Sequence, residues 1–392
     1  MACSSRRDAA SEGARMKIIV VASDPTSGLL QYPVDLALCF EAQGHEVVVL
    51  SWTTKGQNPD LHQRILASGI QFVIEASLTY SFGKQALLTG FFAKAANGFK
   101  PADLLLTFGP LSAWQARSYL KKGGISLSMI AAMGHDRTSR WKPVLGAMLL
   151  NSYTTHVGAL CHLEIDRLTR LGVKPNKIVL VHNWIDLNRL AHQAKRLSDS
   201  TTDEFMLRLG LRGANKKFIA CLASFQPRKR QDLLIKAYAA LADRYTEYDL
   251  ILAGGGAEKI ACEKLALELG VEHRIHFVGL LVNDDAVSLL AASDIVVHCS
   301  NAETFGYSMV EPLYLEKATL VTKVGIAWEL QNADVAEVVE PDNLEELIAG
   351  LEKLLQGGPE IQQRIAKARQ FVIDNFEVTK IAQQILQLSA SK

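Results

Sequence analysis

The chain has 392 residues, 48% of them apolar and 21% charged, with 42 Lys and Arg against 41 Asp and Glu. At roughly 150 residues per domain this predicts two domains, each with enough apolar residues for its own core, and it excludes an intrinsically disordered chain. The net charge of +1 excludes an electrostatic nucleic-acid binder, and the absence of any run of about 18 apolar residues predicts no membrane span.

Residues 1–15 are small, polar and basic, without the apolar centre of a secretory signal, and read as a disordered extension. From Met16 onward, short β-branched runs alternate with helical patterns. Lys17–Ala22 reads as a buried parallel strand, and the helical stretch after the loop Ser23–Gly28 ends at Gly44, a C-cap residue. Glu46–Ser51, Ile70–Ile74, Asp103–Thr107, Ser126–Ala131, Val157–Cys161 and Lys177–Val181 continue the strand series. Residues 191–216 turn polar, with the run Ser198–Asp203, and read as a linker carrying one short helix.

The second half repeats the scheme. Its strands are predicted at Phe218–Ala223, Asp249–Ala253, Ile275–Val278, Ile295–His298, Thr319–Thr322 and Ala336–Val339, with a helix over Gln231–Ala242. Residues 366–392 read as a helix without a following strand. No 20- to 50-residue repeat is visible, which argues against a solenoid.

The expected fold is therefore α/β, with two doubly wound Rossmann-like domains, 16–190 and 217–365, facing a cleft. Ligands in such sheets bind beyond the carboxyl ends of the strands. That directs attention to Ser23–Gly28, Phe108–Pro110, Met133–Thr138, Ser224–Arg230, Gly254–Gly256, Gly279–Asp284 and Ser300–Tyr307.

The six cysteines include no Cys-x-x-Cys pair, which argues against a zinc cluster or a disulfide framework and fits a reducing cytoplasm. The near-neutral total hides an asymmetry. Up to Leu190 there are 20 Lys and Arg against 13 Asp and Glu, a balance of +7, and the remaining 22 against 28 give −6. The first half thus suits an anionic partner, such as a phosphorylated acceptor or an acidic membrane surface, although uneven solvation of two domains gives the same count.

Three segments carry chemistry. The run from Ser300 through Glu311 follows a strand and opens a helix near Gly306, so its amides and dipole suit a phosphate. Glu303 and Glu311 lie eight residues apart, about 12 Å along a helix, and each carboxylate could hold a sugar hydroxyl on one side of a diphosphate. Two solvated acids near a helix N-terminus are the alternative. Arg228, Lys229 and Arg230 precede a helix, where cations oppose the dipole unless an anion lies there; otherwise they form a solvated charged turn. His135, within Gly134-His-Asp136, could donate to a ligand or act as acid or base, and the run Gly254–Gly256 allows close backbone approach, though it also suits an ordinary loop. No dinucleotide fingerprint, Walker motif or nucleophile elbow is present.

In combination these residues resemble glycosyltransferase family 4, whose fold is GT-B. The resemblance rests on Gly44-His-Glu-Val47, Val181-His-Asn-Trp-Ile-Asp186, Ala253-Gly-Gly-Gly256, the pair Glu303 and Glu311 within Glu-x-Phe-Gly, and Val324-Gly325 through Glu329. It implies retaining transfer of a sugar from a nucleotide diphosphate-sugar, with UDP- or GDP-sugar as co-substrate and neither metal nor cofactor. The nucleotide would lie in the second domain and the acceptor, a glycan or a lipid-linked molecule, in the first. The final helix would cross back to pack on the first domain. By the same resemblance His135, Glu303 and Lys229 are the catalytic residues. Glu311 binds the ribose, and Gly28, Arg228, Arg230, Gly254, Thr304, Phe305, Gly306, Tyr307 and Ser308 complete the donor site. It also implies a cytoplasmic protein, with peripheral membrane contact through the first domain.

Three positions depart from the family pattern. Ala223-Ser224 stand where Gly-Arg is common, which leaves one phosphate cation missing unless Arg228 or Arg230 replaces it. Trp184 stands for a Gly and Ala318 for a Pro. Ser224 favours a sugar-nucleotide-binding protein with little transfer as the alternative. An epimerase or a pyridoxal-phosphate phosphorylase on the same fold is a further one.

Overall fold

The computed structural model describes residues 15–22, 31–51, 67–74, 101–130, 141–199, 202–211, 216–281 and 283–390. Its β-branched and Leu-rich runs build two sheets. The first contains β1 (Lys17–Ala22), β2 (Glu46–Ser51), β3 (Gln71–Ile74), β4 (Ala102–Phe108), β5 (Leu120–Met129), β6 (His156–Ala159) and β7 (Ile178–Leu180), in the order β3-β2-β1-β4-β5-β6-β7. The second contains β8 (Lys217–Leu222), β9 (Tyr248–Ala253), β10 (Ile275–Gly279), β11 (Ile295–His298), β12 (Ala318–Thr322) and β13 (Glu337–Val339), in the order β10-β9-β8-β11-β12-β13.

Every strand pair is parallel. Ile18–Val21 and the whole of β9 are buried, as strands covered on both faces must be. Each strand order reverses once, between β1 and β4 and between β8 and β11. That reversal is the defining feature of a doubly wound sheet and opens a crevice at the strands' carboxyl ends.

The chain divides into two compact units. One gathers the described residues through Leu160 with Glu164–Ile185 and the chain from Phe376 on; the other holds Cys161–Leu163 and Asp186–Asn375. The stretch 191–216, expected as a linker with one short helix, instead carries most of one helix, Leu187–Asp199, and all of a second, Thr202–Arg208. The first packs on helix Asn283–Ala292. The second buries Phe205 and Met206 beside Ala220, Ile251 and Leu289. The polar run Ser198–Asp203 conceals this, because it spans the end of one helix and the start of the next.

The C-terminal helix expected over 366–392 is likewise two helices, Pro359–Phe376 and Val378–Ala390. The first stays with the second unit through Asn375, and the chain changes unit at Phe376. At the break, Ile185 and Glu377 form a parallel bridge: the Ile185 amide donates to the Phe376 carbonyl at 2.7 Å and the Val378 amide to the Ile185 carbonyl at 3.2 Å. Helix Val378–Ala390 packs on helix Gln31–Ala42 within the first unit, and Gln384 donates to the Leu180 carbonyl at 2.8 Å. Trp184, where the resembling segment has a Gly, is fully buried in the same unit and meets the Phe108 ring edge-on at 6.2 Å. Its bulk serves the core. The five described cysteines are buried, with no disulfide among them.

Candidate functional site

In the second unit the crevice of the reversal lies between β8 and β11, and the loops leaving these two strands build the site. After β8 the chain forms a tight turn, Pro227–Lys229, and Arg230 adopts the left-handed region, φ 53°, before helix Gln231–Ala242. The β11 loop is tied to that turn. The Asn301 amide donates to the Arg228 carbonyl at 2.8 Å, and the Cys299 thiol donates to the Lys229 carbonyl at 3.2 Å. This clamp brings the Lys229 ammonium into an ion pair with Glu303, and both side chains are 12% exposed. Arg228 adds a second cation: its Nη1 lies 3.2 Å from the same Glu303 Oε1 and donates to the Ala302 carbonyl at 3.1 Å.

A third group closes on that carboxylate from below. His298, the last residue of β11, is 3% exposed. Its Nε2 lies 3.4 Å from Glu303 Oε1 and 3.2 Å from Ser300 Oγ. Burial pushes the imidazole pKa below its ordinary value, against the pull of Glu303, so the ring is neutral at pH 7. Burial alone would raise the Glu303 carboxyl. The hydrogen bond from His298 and the Lys229 ammonium outweigh it and hold Glu303 well below the usual carboxylate range. One carboxylate between two cations and a neutral ring leaves the cluster with one net positive charge.

Helix Tyr307–Tyr314 begins directly after this loop, with Gly306 at its N-cap and φ 97°. The N-terminal end of a helix favours anions. The loop is fixed from its far side, where the Ile326 amide donates to the Phe305 carbonyl at 2.9 Å. Gly325 has φ 55°, and a Cβ there would lie 2.3 Å from that same carbonyl oxygen, so the approach requires glycine. Glu329, further along the same stretch, accepts from the His162 backbone at 2.7 Å and meets its Nδ1 at 2.9 Å.

The structure thus brings Arg228, Lys229 and Glu303 together. It does not bring Arg230 with them: that guanidinium is held by Asp232, at 3.0 and 3.1 Å, and by Asp342. Arg230 is thus tied to a separate pair of carboxylates, whereas Arg228 joins Lys229 on Glu303. Gly254 and Gly256 lie close against protein backbone. A Cβ on Gly254 would lie 2.0 Å from the Ala223 carbonyl oxygen, and one on Gly256 2.3 Å from that of Phe225. Thr304 offers its carbonyl to the Cys161 thiol at 3.4 Å. Phe305 is buried, with the Tyr307 ring at 5.3 Å. Ser308 and Glu311 are half-buried in the first and second turns of the helix. His135 and Gly28 lie outside the described residues. The residue that sequence reasoning passed over is His298, read there only as a strand end. Its signal is a polar ring closing the apolar run Ile295–Val297.

Comparison with known proteins identifies the family. The model described as Glycosyl transferases group 1 matches residues 208–371, and the model Glycosyltransferase Family 4 matches residues 26–189. The chain belongs to this family of glycosyltransferases. It is 28% identical over 232 residues to the N-acetyl-alpha-D-glucosaminyl L-malate synthase of Bacillus anthracis, covering 58% of this chain and 57% of that protein. To the D-inositol 3-phosphate glycosyltransferase of Mycobacterium sp. (strain KMS) it is 26% identical over 211 residues, covering 52% and 45%. The chain spans about half the length of these relatives. Among solved structures, Anabaena Alr3699/HepE in complex with UDP and glucose superposes with a TM-score of 0.77 at 19% identity, covering 96% of this chain and 100% of that one. A glycosyltransferase from Rickettsia africae superposes at 0.78 with 17% identity, covering 97% and 99%. These likenesses show the fold, the two-domain α/β architecture called GT-B.

The depressed Glu303 carboxyl has a consequence for stability. Ionised Glu303 stabilises the fold above the unfolded carboxyl value of about 4.3, and that contribution is lost as pH falls towards the lower folded value. Glu303→Gln is expected to melt below the wild type at pH 7, with the gap closing below about pH 4.3. A gap unchanged across thermal melts from pH 7 into the acid range would contradict the pairing.

Proposed function

We propose that the chain is a retaining glycosyltransferase that moves a sugar from a nucleotide diphosphate-sugar, UDP- or GDP-linked, to a hydroxyl of a glycan or lipid-linked acceptor, and that Lys229 and Arg228 receive the donor's diphosphate. The carrying observation is the convergence of two cations on one carboxylate at the β8–β11 reversal. A diphosphate carries more negative charge than one carboxylate and competes for both cations. In this reading Glu303 turns to the donor sugar, Glu311 meets the ribose, and the loop from Thr304 to Ser308 faces the phosphates.

The chemistry then needs charge stabilisation more than a protein nucleophile. The acceptor hydroxyl forms the new bond on the face from which the diphosphate departs. The glycosidic C–O bond breaks with its electron pair passing to the diphosphate, and a departing phosphate oxygen takes the hydroxyl proton. Lys229 and Arg228 sit where that charge develops, the role a divalent metal plays elsewhere. The cytoplasm, where nucleotide-sugars form, is the setting this reading implies. HepE, which shares the fold, was solved with UDP and glucose, which supports a donor of this kind.

Thermal melting with UDP, GDP and ADP, in EDTA, tests the site. A nucleotide at about a hundred times its dissociation constant adds about 2.7 kcal/mol, enough to move the melting point by several degrees. Lys229→Ala is expected to lose that shift and about two orders of magnitude of turnover. An undiminished shift in the variant would remove Lys229 from the phosphate site.

The first unit supports an anionic, membrane-proximal acceptor. No helix among the described residues is long and apolar enough to cross a membrane. Yet helix Trp141–Tyr153 exposes Val144, Leu145 and Met148 on one face, Met148 by 60%. The Arg117 guanidinium lies 5.4 Å from the ring of Tyr153 at the end of that helix, within the half of the chain that carries the +7 balance. An apolar face with a guanidinium at its end, in a basic half of the chain, suits an anionic lipid surface. Cosedimentation with phosphatidylglycerol vesicles, but not phosphatidylcholine vesicles, is expected, and Val144→Ser with Met148→Ser should weaken it severalfold. Equal recovery with both vesicle types would refute this surface.

A further inference from the structure

We propose that His298 is the positioning residue for Glu303: a neutral imidazole that donates from Nε2 to the carboxylate and keeps it aimed once Lys229 and Arg228 transfer to the diphosphate. The inference rests on the donor site proposed above and adds a residue to it.

The geometry fixes the ring's state. Nδ1 of His298 is buried and meets no hydrogen-bond partner among the described residues. A protonated ring would place an unpaired N–H there, in a site closed to water, at the full cost of desolvating a charged donor. The neutral tautomer with its proton on Nε2 leaves only an acceptor unpaired, and Nε2 lies 3.4 Å from Glu303 Oε1 and 3.2 Å from Ser300 Oγ. The backbone around the ring is pinned from β12. Thr322 Oγ1 donates to the Ser300 carbonyl at 2.5 Å and approaches the His298 carbonyl at 3.4 Å. His298 therefore has little freedom to follow Glu303 if the carboxylate moves; the carboxylate must come to it.

The three contacts on Glu303 differ in kind. Lys229 and Arg228 neutralise it, and both are the groups a diphosphate would recruit. His298 lies beneath the loop at 3% exposure, out of reach of a ligand, and carries no charge. When the cations leave, it holds the carboxylate's direction without cancelling its charge, so the whole negative charge faces the sugar. A cation in its place would offset that charge, and an apolar residue would leave the carboxylate to swing back to Lys229.

The full-length wild type, His298→Leu and His298→Gln test this. Gln suits the comparison because its amide nitrogen reaches the place of the imidazole Nε2. The first measurement is the long-range 1H–15N histidine spectrum of the free protein. The Nε2–H neutral form is expected at neutral pH, with its shift displaced in Glu303→Gln. An imidazolium or an Nδ1–H form at neutral pH would overturn the proposal whatever the enzyme transfers.

The second measurement is release of nucleoside diphosphate from UDP-, GDP- and ADP-glucose. Loss of one hydrogen bond to a charged group predicts a fall in kcat of roughly tenfold to a hundredfold in His298→Leu, with binding of the free nucleoside diphosphate within roughly threefold and recovery of most of kcat in His298→Gln. A melting point for His298→Leu within several degrees of the wild type, and matched by His298→Gln to within a few degrees, is expected and separates the loss from unfolding. Turnover unchanged in His298→Leu, or equally low in Leu and Gln, would overturn the positioning role. A wild type that neither binds nor cleaves any of these nucleotides defeats the donor reading instead, and the spectrum then decides the imidazole's part.

Discussion

A charge buried to 12% exposure must be paired, and the carboxylate of Glu303 imposes that requirement on the second unit. Its partners come from two loops that are far apart in sequence but leave adjacent strands. Only a sheet whose order reverses at β8 and β11 sets those loops side by side. The backbone clamp of Asn301 to Arg228 and of Cys299 to Lys229 then fixes their separation. The site sits on the ends of rigid strands, the placement that best preserves a preorganised arrangement.

The same requirement accounts for the glycines nearby. Gly325 lets one loop lie against the Phe305 carbonyl, while Gly254 and Gly256 let another lie against Ala223 and Phe225. Each contact is backbone on backbone, with no side chain that can yield. The ion pairs are the exchangeable part of this frame, because a cation can leave a carboxylate for a more highly charged anion without moving a strand.

Much of the fold was legible because buried parallel strands are written as short apolar runs. Lys17–Ala22, Glu46–Ser51 and Ile295–His298 coincide with their predicted limits, as does helix Gln231–Ala242. Helices Leu187–Asp199 and Thr202–Arg208 were hidden by the polar junction between them. The break at Glu377 was hidden because the bridge that marks it reaches Ile185, almost two hundred residues away in sequence. The site divides in the same way. Arg228, Lys229 and Glu303 announce themselves as charges at strand ends. The capture of Arg230 by Asp232 and Asp342 depends on side chains that only the folded loops bring together. His298 shows locally only as a polar ring closing an apolar strand, and its approach to Glu303 depends on the loop's return.

The proposed exchange, in which Lys229 leaves Glu303 for the donor's diphosphate, is open to direct test. A crystal structure of the wild type with the nucleoside diphosphate that stabilises it most tests this directly. The exchange places Lys229 Nζ within about 3 Å of a phosphate oxygen, the distance of a charge-assisted hydrogen bond, with the ion pair to Glu303 broken and Glu303 still beside His298. A bound diphosphate that leaves the Lys229–Glu303 pair intact, or that lies away from the β8 and β11 loops, would contradict it.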